Sequence, residues 1–281
     1  MTVSGFTFCR NAVKYDYPVL ESIRSVLPVC DEFIVNVGRC GDGTLELIQS
    51  IRDPKIKIIE SVWDDSLRKD GLIYSQQTNV ALKHCKGDWA LYVQADEVVH
   101  EHDLPALRQS MAHHAGNPMI KGLLFRYLHF IADYWSTNPW FYHKAVRIIR
   151  NNGEIESCGD AVGFHFKPTQ QYLQSGPQEW LAYSGATMFH YGWVKDPKTM
   201  LEKKREQASA HHGSDLPPEV ARELMGDVFR FEDYAILKEF SGSHPGVMQG
   251  RIAAARRWGA RRNRWLNPRF YREVIRRGFR G

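Results

Sequence analysis

Apolar residues in the first hundred positions recur in two rhythms. Short runs with most positions apolar, at 5–10, 32–37 and 89–93, read as strands, and 55–60 joins them with Ile56 and Ile58 on one face. Between them the spacing lengthens to the helical three and four. Val19, Ile23, Val26 and Leu27 form one such stripe, Leu45, Ile48 and Ile51 a second, and 75–84, with Ala81 and Leu82, a third. Asp16 is placed to cap the first helix and Pro18 suits its first turn; Pro28 ends it, and Thr44 begins the second. Strands alternating with helices predict βαβ units and a mostly parallel central sheet flanked by helices.

Past Glu101 the rhythm changes. A helix capped by Asp103 is expected to run to about His113, followed by a β-prone stretch at 122–130, a strand pair within 138–150, and a short strand at 187–193 that carries His190. From Asp196 the pattern is helical, over 198–211 and again over 219–229 after Pro217-Pro218. These boundaries divide the chain into an α/β unit over 1–195, with halves at 1–101 and 102–195, and a helical extension over 196–281.

The stretch at 87–97 carries the candidate chemistry. An apolar strand from Trp89 to Val93 runs straight into Gln94, Ala95, Asp96 and Glu97. In open α/β sheets ligands bind just beyond the carboxyl ends of the strands, and carboxylates there suit a hard dication that arrives with phosphate. The plain alternative is an acidic turn.

Composition narrows the class. With 43% hydrophobic and 25% charged residues among 281, the chain has the make-up of an ordinary globular protein. No apolar run approaches the ~18 residues that cross a bilayer, and residues 1–6 lack the basic flank and apolar core of a signal peptide, so a cytoplasmic location is expected. Cys9, Cys30, Cys40, Cys85 and Cys158 are scattered, odd in number and without Cys-x-x-Cys spacing, which argues against a disulfide framework or a zinc site. The net charge of +5 is concentrated at the C-terminus, where eleven arginines from Arg251 to Arg280 meet Glu273 alone, interleaved with Trp258, Trp265, Phe270, Tyr271 and Phe279. Such a segment suits an anionic membrane surface or a lipid-linked acceptor, or a basic cap packed on the domain; nucleic acid is the least favoured partner.

In their order and spacing, four features resemble the nucleotide-sugar half of a GT-A glycosyltransferase of the family 2 type: Arg10-Asn11 after the first strand, the loop from Asn36 to Asp42-Gly43-Thr44, Asn79-Val80-Ala81-Leu82 before Gly87-Asp88-Trp89, and Gln94-Ala95-Asp96-Glu97. The match is looser at 146–150 and 190–193. The resemblance implies a GT-A-like, Rossmann-like fold and transfer of a sugar from a nucleotide-diphosphate sugar to a glycan or lipid-linked hydroxyl acceptor, with inversion, in cell-surface polysaccharide or lipopolysaccharide synthesis. It implies nucleotide-sugar binding by Arg10, Asn11, Asn36, Asp42, Asn79, Gln94, Ala95 and Asp96. It implies Mn²⁺ or Mg²⁺ on Asp96, with His190 either completing the coordination or serving as a core histidine. Inversion needs a general base; the resemblance puts it among the acids of the second half, Glu156, Asp160 or Glu179, with Asp160 at about the expected distance after the 146–150 strand. Gln94 stands where the family has an aspartate, which leaves metal dependence open. The reading from another class is a non-catalytic binding protein acting through its basic C-terminal surface.

Three patterns are set aside. Gly38, Gly41 and Gly43 do not have dinucleotide-fingerprint spacing. The run 100–103 (His, Glu, His, Asp) reads as a solvated loop, and His113-His114 and His211-His212 read as surface residues.

Overall fold

The computed structural model describes residues 1–64, 67, 70–212, 216–231, 237–257 and 268–277. Four parallel strands build the first half: β1 (Val3–Cys9), β2 (Glu32–Gly38), β3 (Ile56–Ser61) and β4 (Trp89–Tyr92), in the order β4-β1-β2-β3. The connecting helices are α1 (Val19–Val26), α2 (Thr44–Gln49) and α3 (Leu72–Leu82). The period of two explains how one run of apolar residues serves two layers. Phe33, Val35 and Val37 of β2, with Trp89, Leu91 and Val93 at β4, pack with α1 and α2; Ile34, Ala90 and Tyr92 pack with α3 on the opposite face. Each of these side chains is buried, and burying a Val, Leu, Ile or Phe among them contributes about 1.5–3 kcal/mol.

The second half continues the sheet in the antiparallel sense. It contains β5 (Glu97–Val99), α4 (Leu104–His114), β6 (Gly122–Ile131), β7 (Ser136–Thr137), β8 (Lys144–Arg150), a small separate sheet of β9 (Ile155–Cys158), β10 (Gly163–Phe166) and β11 (Gln171–Tyr172), and the long β12 (Leu181–Trp193). β8 lies antiparallel between β4 and β6, while β12 runs parallel to β6 with His190 opposite His129. The result is a mixed α/β sheet flanked by helices, the architecture expected, with four parallel strands in the first hundred residues and a further parallel pairing, β12 with β6, in the second half.

The remaining elements are α5 (Pro197–His212), α6 (Pro218–Glu223), β13 (Lys238–Glu239), α7 (Gln249–Ala254) and α8 (Pro268–Arg277). Met200, Leu201 and Ala208 of α5 share an apolar cluster with Ile131 and Ala132 at the end of β6, and β13 pairs with β7. This segment is thus built into the sheet and its core.

Several local expectations changed. Asp16 does not cap α1: it has φ 47°, and its carboxylate holds Arg251 at 2.7 Å. Asp103 does stand at the N-cap position of α4, but its side chain makes no cap bond there; its Oδ2 accepts the Thr187 N–H across to β12. The strand expected at 187–193 begins at Leu181, and the helix expected at 219–229 is the short α6. In the tail, Arg251 pairs with Asp16 and Glu21, Arg257 lies 4.5 Å over the Trp135 ring, and Phe270 is buried beside Trp140, as a packed cap would be. Trp258, Arg261, Arg262, Arg264, Trp265, Leu266, Phe279 and Arg280 lie outside the described residues. Among the described residues no helix is long and apolar enough to cross a membrane.

Candidate active site

Beyond the carboxyl ends of the parallel strands lies a cavity of about 410 Å³. Arg10 and Asn11 enter it from the end of β1, and Gln94, Ala95 and Asp96 from the turn after β4. Asp160 enters from the loop between β9 and β10, His190 from β12, and Lys203 and His211 from α5.

The turn after β4 separates its two acids. The Glu97 N–H bonds the Gln94 carbonyl at 3.0 Å, closing the turn, and Glu97 then starts β5. Its carboxylate is fully buried and takes a bidentate pair from Arg147, at 2.8 and 2.7 Å, plus the Tyr127 hydroxyl at 2.7 Å. Arg147 is equally buried, with the Tyr92 and Tyr127 rings each 5.4 Å from its guanidinium carbon. Its remaining nitrogen donates to the Val162 carbonyl at 2.8 Å, beside Asp160. Gln94 reaches the same loop, its Nε2 donating to the Ala161 carbonyl at 3.2 Å. Arg147 and Gln94 therefore tie the turn that carries Asp96 to the loop that carries Asp160. Gly159 (φ 59°) and Ala161 (φ 65°), both left-handed, flank Asp160; for alanine that is uncommon backbone, held here by these bonds.

Asp96 faces the other way, into the cavity. Its Oδ2 lies 3.2 Å from Lys203 Nζ, which also donates to the Gly192 carbonyl at 2.7 Å. Burial alone would raise the Asp96 pKa, but the Lys203 ammonium beside it, with Lys195, outweighs burial and holds the carboxyl down at about 2. Gly192 allows this packing, because a Cβ there would stand 2.5 Å from Asp96 Oδ2.

Hydrogen bonding fixes how His190 presents itself. His129 Nε2 lies 2.8 Å from the Tyr142 carbonyl, which can only accept, so that nitrogen carries the proton. His129 Nδ1 then accepts from His190 Nδ1–H at 3.2 Å, and His190 Nε2 keeps its lone pair, 3.7 Å from Asp96 Oδ1. Burial keeps both rings neutral: it takes His129 to about 3, and it lowers His190 against the pull of Asp96 and Glu97. A carboxylate oxygen and an imidazole lone pair at this spacing suit a divalent ion, so Asp96 and His190 would be its protein ligands. Glu97, engaged by Arg147 and Tyr127, is not free to join them.

One end of the cavity is aromatic. Phe8, Trp63 and Tyr74 stand with ring centroids 5.8–6.1 Å apart, and Arg10 lies 5.3 Å over Trp63. Gly38 is what lets the indole in, since a Cβ on it would meet Trp63 Nε1 at 2.3 Å.

The fold also resembles known structures at low similarity. The neighbours include S. aureus TarS (14% identity, TM-score 0.43, covering 80% of this chain and 42% of that one). TarS 1–349 appears in complex with UDP (15%, 0.41, 80% and 69%) and with UDP-GlcNAc (15%, 0.42, 80% and 70%). The chain thus spans less than half the length of the first of these. No protein-family model matches the chain, and no curated protein matches it in sequence.

The other residues singled out from the sequence sit elsewhere. Asn36 donates to Gln77, Asp42 accepts from Lys14 N and Thr44, and Asn79 exchanges two hydrogen bonds with the Ser157 backbone. Glu156 is bonded by His165 Nε2 at 2.9 Å, and Glu179 is exposed in a 3₁₀ turn before β12. None of the five lines the cavity. His211, read as a surface residue, does line it, and His100 is buried against Ser243. Among the described residues, His100, Glu101 and His102 form one group spaced for a metal, yet Glu101 already accepts the Gly246 N–H and His100 Nδ1 that of His102.

Lys203, Arg147 and the aromatic box were missed from sequence. Arg147 did leave a signal: a lone arginine inside the apolar run Val146-Arg147-Ile148-Ile149 must find a partner. Lys203 left a fainter one, three residues after Met200 and four before Gln207, on one face of a helix.

Proposed function

We propose that this chain transfers a sugar from a nucleotide-diphosphate sugar to a hydroxyl acceptor, with inversion at the anomeric carbon. The observation that carries the reading is the pair of acids, Asp96 and Asp160, brought from separate loops into one cavity beyond the carboxyl ends of the parallel strands. The aromatic end, Phe8, Trp63 and Tyr74, suits a nucleotide base. The diphosphate would lie toward Asp96 and His190, and a bound Mn²⁺ or Mg²⁺ there would neutralise the departing diphosphate. Asp160 is the candidate general base. One of its oxygens accepts from Val162 N at 3.3 Å, and it stands exposed in the cavity wall, open to an acceptor hydroxyl. As acceptor we favour a glycan or lipid-linked hydroxyl, with a role in cell-surface polysaccharide assembly.

The test is release of nucleoside diphosphate from a panel of nucleotide sugars with added acceptor, beginning with UDP-GlcNAc. The expected result is turnover of at least one donor and a fall of ~10²–10⁴-fold in Asp160→Asn. No turnover with any donor, together with no nucleotide bound, would remove the proposal.

A further inference from the structure

The cavity holds a cation of its own. Lys203 is buried, and it reaches the cavity from α5, far along the chain from the strand ends. Its Nζ makes two hydrogen bonds, to Asp96 Oδ2 at 3.2 Å and to the Gly192 carbonyl at 2.7 Å, and lies 4.7 Å over the Tyr17 ring. An ammonium has three N–H bonds, and the two oxygens take two of them. The carboxylate that fixes Lys203 offers its other oxygen toward His190 Nε2. One carboxylate thus serves two cation positions: a built-in ammonium on Oδ2 and the candidate ion position on Oδ1.

We propose that Lys203 is a diphosphate-binding residue that contacts a donor phosphate oxygen directly, so that nucleoside diphosphate binds here even without a divalent ion. The assignment rests on the donor reading above. In the transfer step the anomeric C–O bond to the diphosphate breaks and a bond to the acceptor oxygen forms. The acceptor proton goes to Asp160, and the electron pair of the broken bond goes to the leaving phosphate oxygen, where the Lys203 charge offsets it. A compact ammonium on a long stem suits a phosphate as a point charge.

The experiment is calorimetric titration in EDTA and in Mn²⁺. The probe is whichever of UDP, GDP, ADP, CDP or dTDP binds best, beside its parent nucleoside. In EDTA wild type is expected to bind the diphosphate, Lys203→Met to bind it about tenfold or more weakly, and both to bind the nucleoside alike; about tenfold is what one charge-assisted hydrogen bond supplies. A loss of nucleoside and diphosphate binding together would show a structural role and overturn the assignment. Asp96→Asn decides the matter even if Lys203→Met does not fold. It is expected to bind the diphosphate in EDTA at least as well as wild type while losing the gain from Mn²⁺. Weaker binding by Asp96→Asn in EDTA, or wild-type binding only in Mn²⁺, would overturn the Lys203 assignment and leave the donor reading standing. No binding of any nucleotide would sink both.

Discussion

Two neighbouring carboxylates on one turn have opposite fates. Glu97, on the sealed side, is fully buried and answered by Arg147 and Tyr127. Asp96, on the open side, borders the cavity, with the Lys203 ammonium on one oxygen and the neutral His190 near the other. A buried pair with no access to ligand serves position: Glu97 and Arg147 hold the turn so that Asp96 points outward. A pair at a cavity wall is available to chemistry. In sequence the two acids are indistinguishable; the partner each meets separates them.

Breaking the sealed side has the largest expected effect. Arg147→Ala leaves the Glu97 charge buried without its partner and cuts the tie to the Asp160 loop, so it is expected to cost about 3–5 kcal/mol, read by denaturant unfolding. If it cost nothing, the positioning role of the pair would be wrong.

Gly71 gives a smaller and more local test. It has φ 70°, and a Cβ there would stand 2.9 Å from both Asp160 Cβ and His211. Gly71→Ala is expected to cost about 1–2 kcal/mol from the left-handed backbone and to push Asp160 aside, lowering turnover while nucleotide affinity holds. Loss of affinity with turnover intact would reverse that ordering.

The smallest effect belongs to a carboxylate that resembles Glu97 but lies at the opposite end of the strands. Burial works to raise the Glu32 pKa, but Lys57, the Ser4 hydroxyl and the Lys86 N–H together hold it below the ordinary value. A lowered carboxylate pKa means that its contribution is complete above the unfolded value of ~4.3 and fades as pH falls through the folded one. Glu32→Gln is therefore expected to lose about 1 kcal/mol at pH 7, to show a flatter acid limb of stability, and to bind nucleotide as wild type does. Altered nucleotide binding in this variant would blur the division between structural and functional acids.

The same contrast explains what could be read in advance. The strands at β1, β2, β3 and β4 and the helices between them follow from local period, because apolar residues at spacings of two and of three to four have few ways to be buried. Asp96 was legible for the same reason, being the polar end of an apolar strand. Asp160, His190, Lys203 and Arg147 meet that turn from 50 to more than 100 residues away, through strand register and helix packing that no local pattern encodes. Asn36, Asp42 and Asn79 were polar residues in a strand, a loop and a helix, a description that fits structural ties as well as ligand contacts; here they make the ties.

The central claim is that the open side of the turn faces a diphosphate. A crystal structure with Mn²⁺ and the tightest-binding nucleoside diphosphate tests it most directly. The account predicts the base between Trp63 and Tyr74, the diphosphate against Lys203, and the ion on Asp96 and His190. A nucleotide bound elsewhere, with this cavity empty, would contradict it.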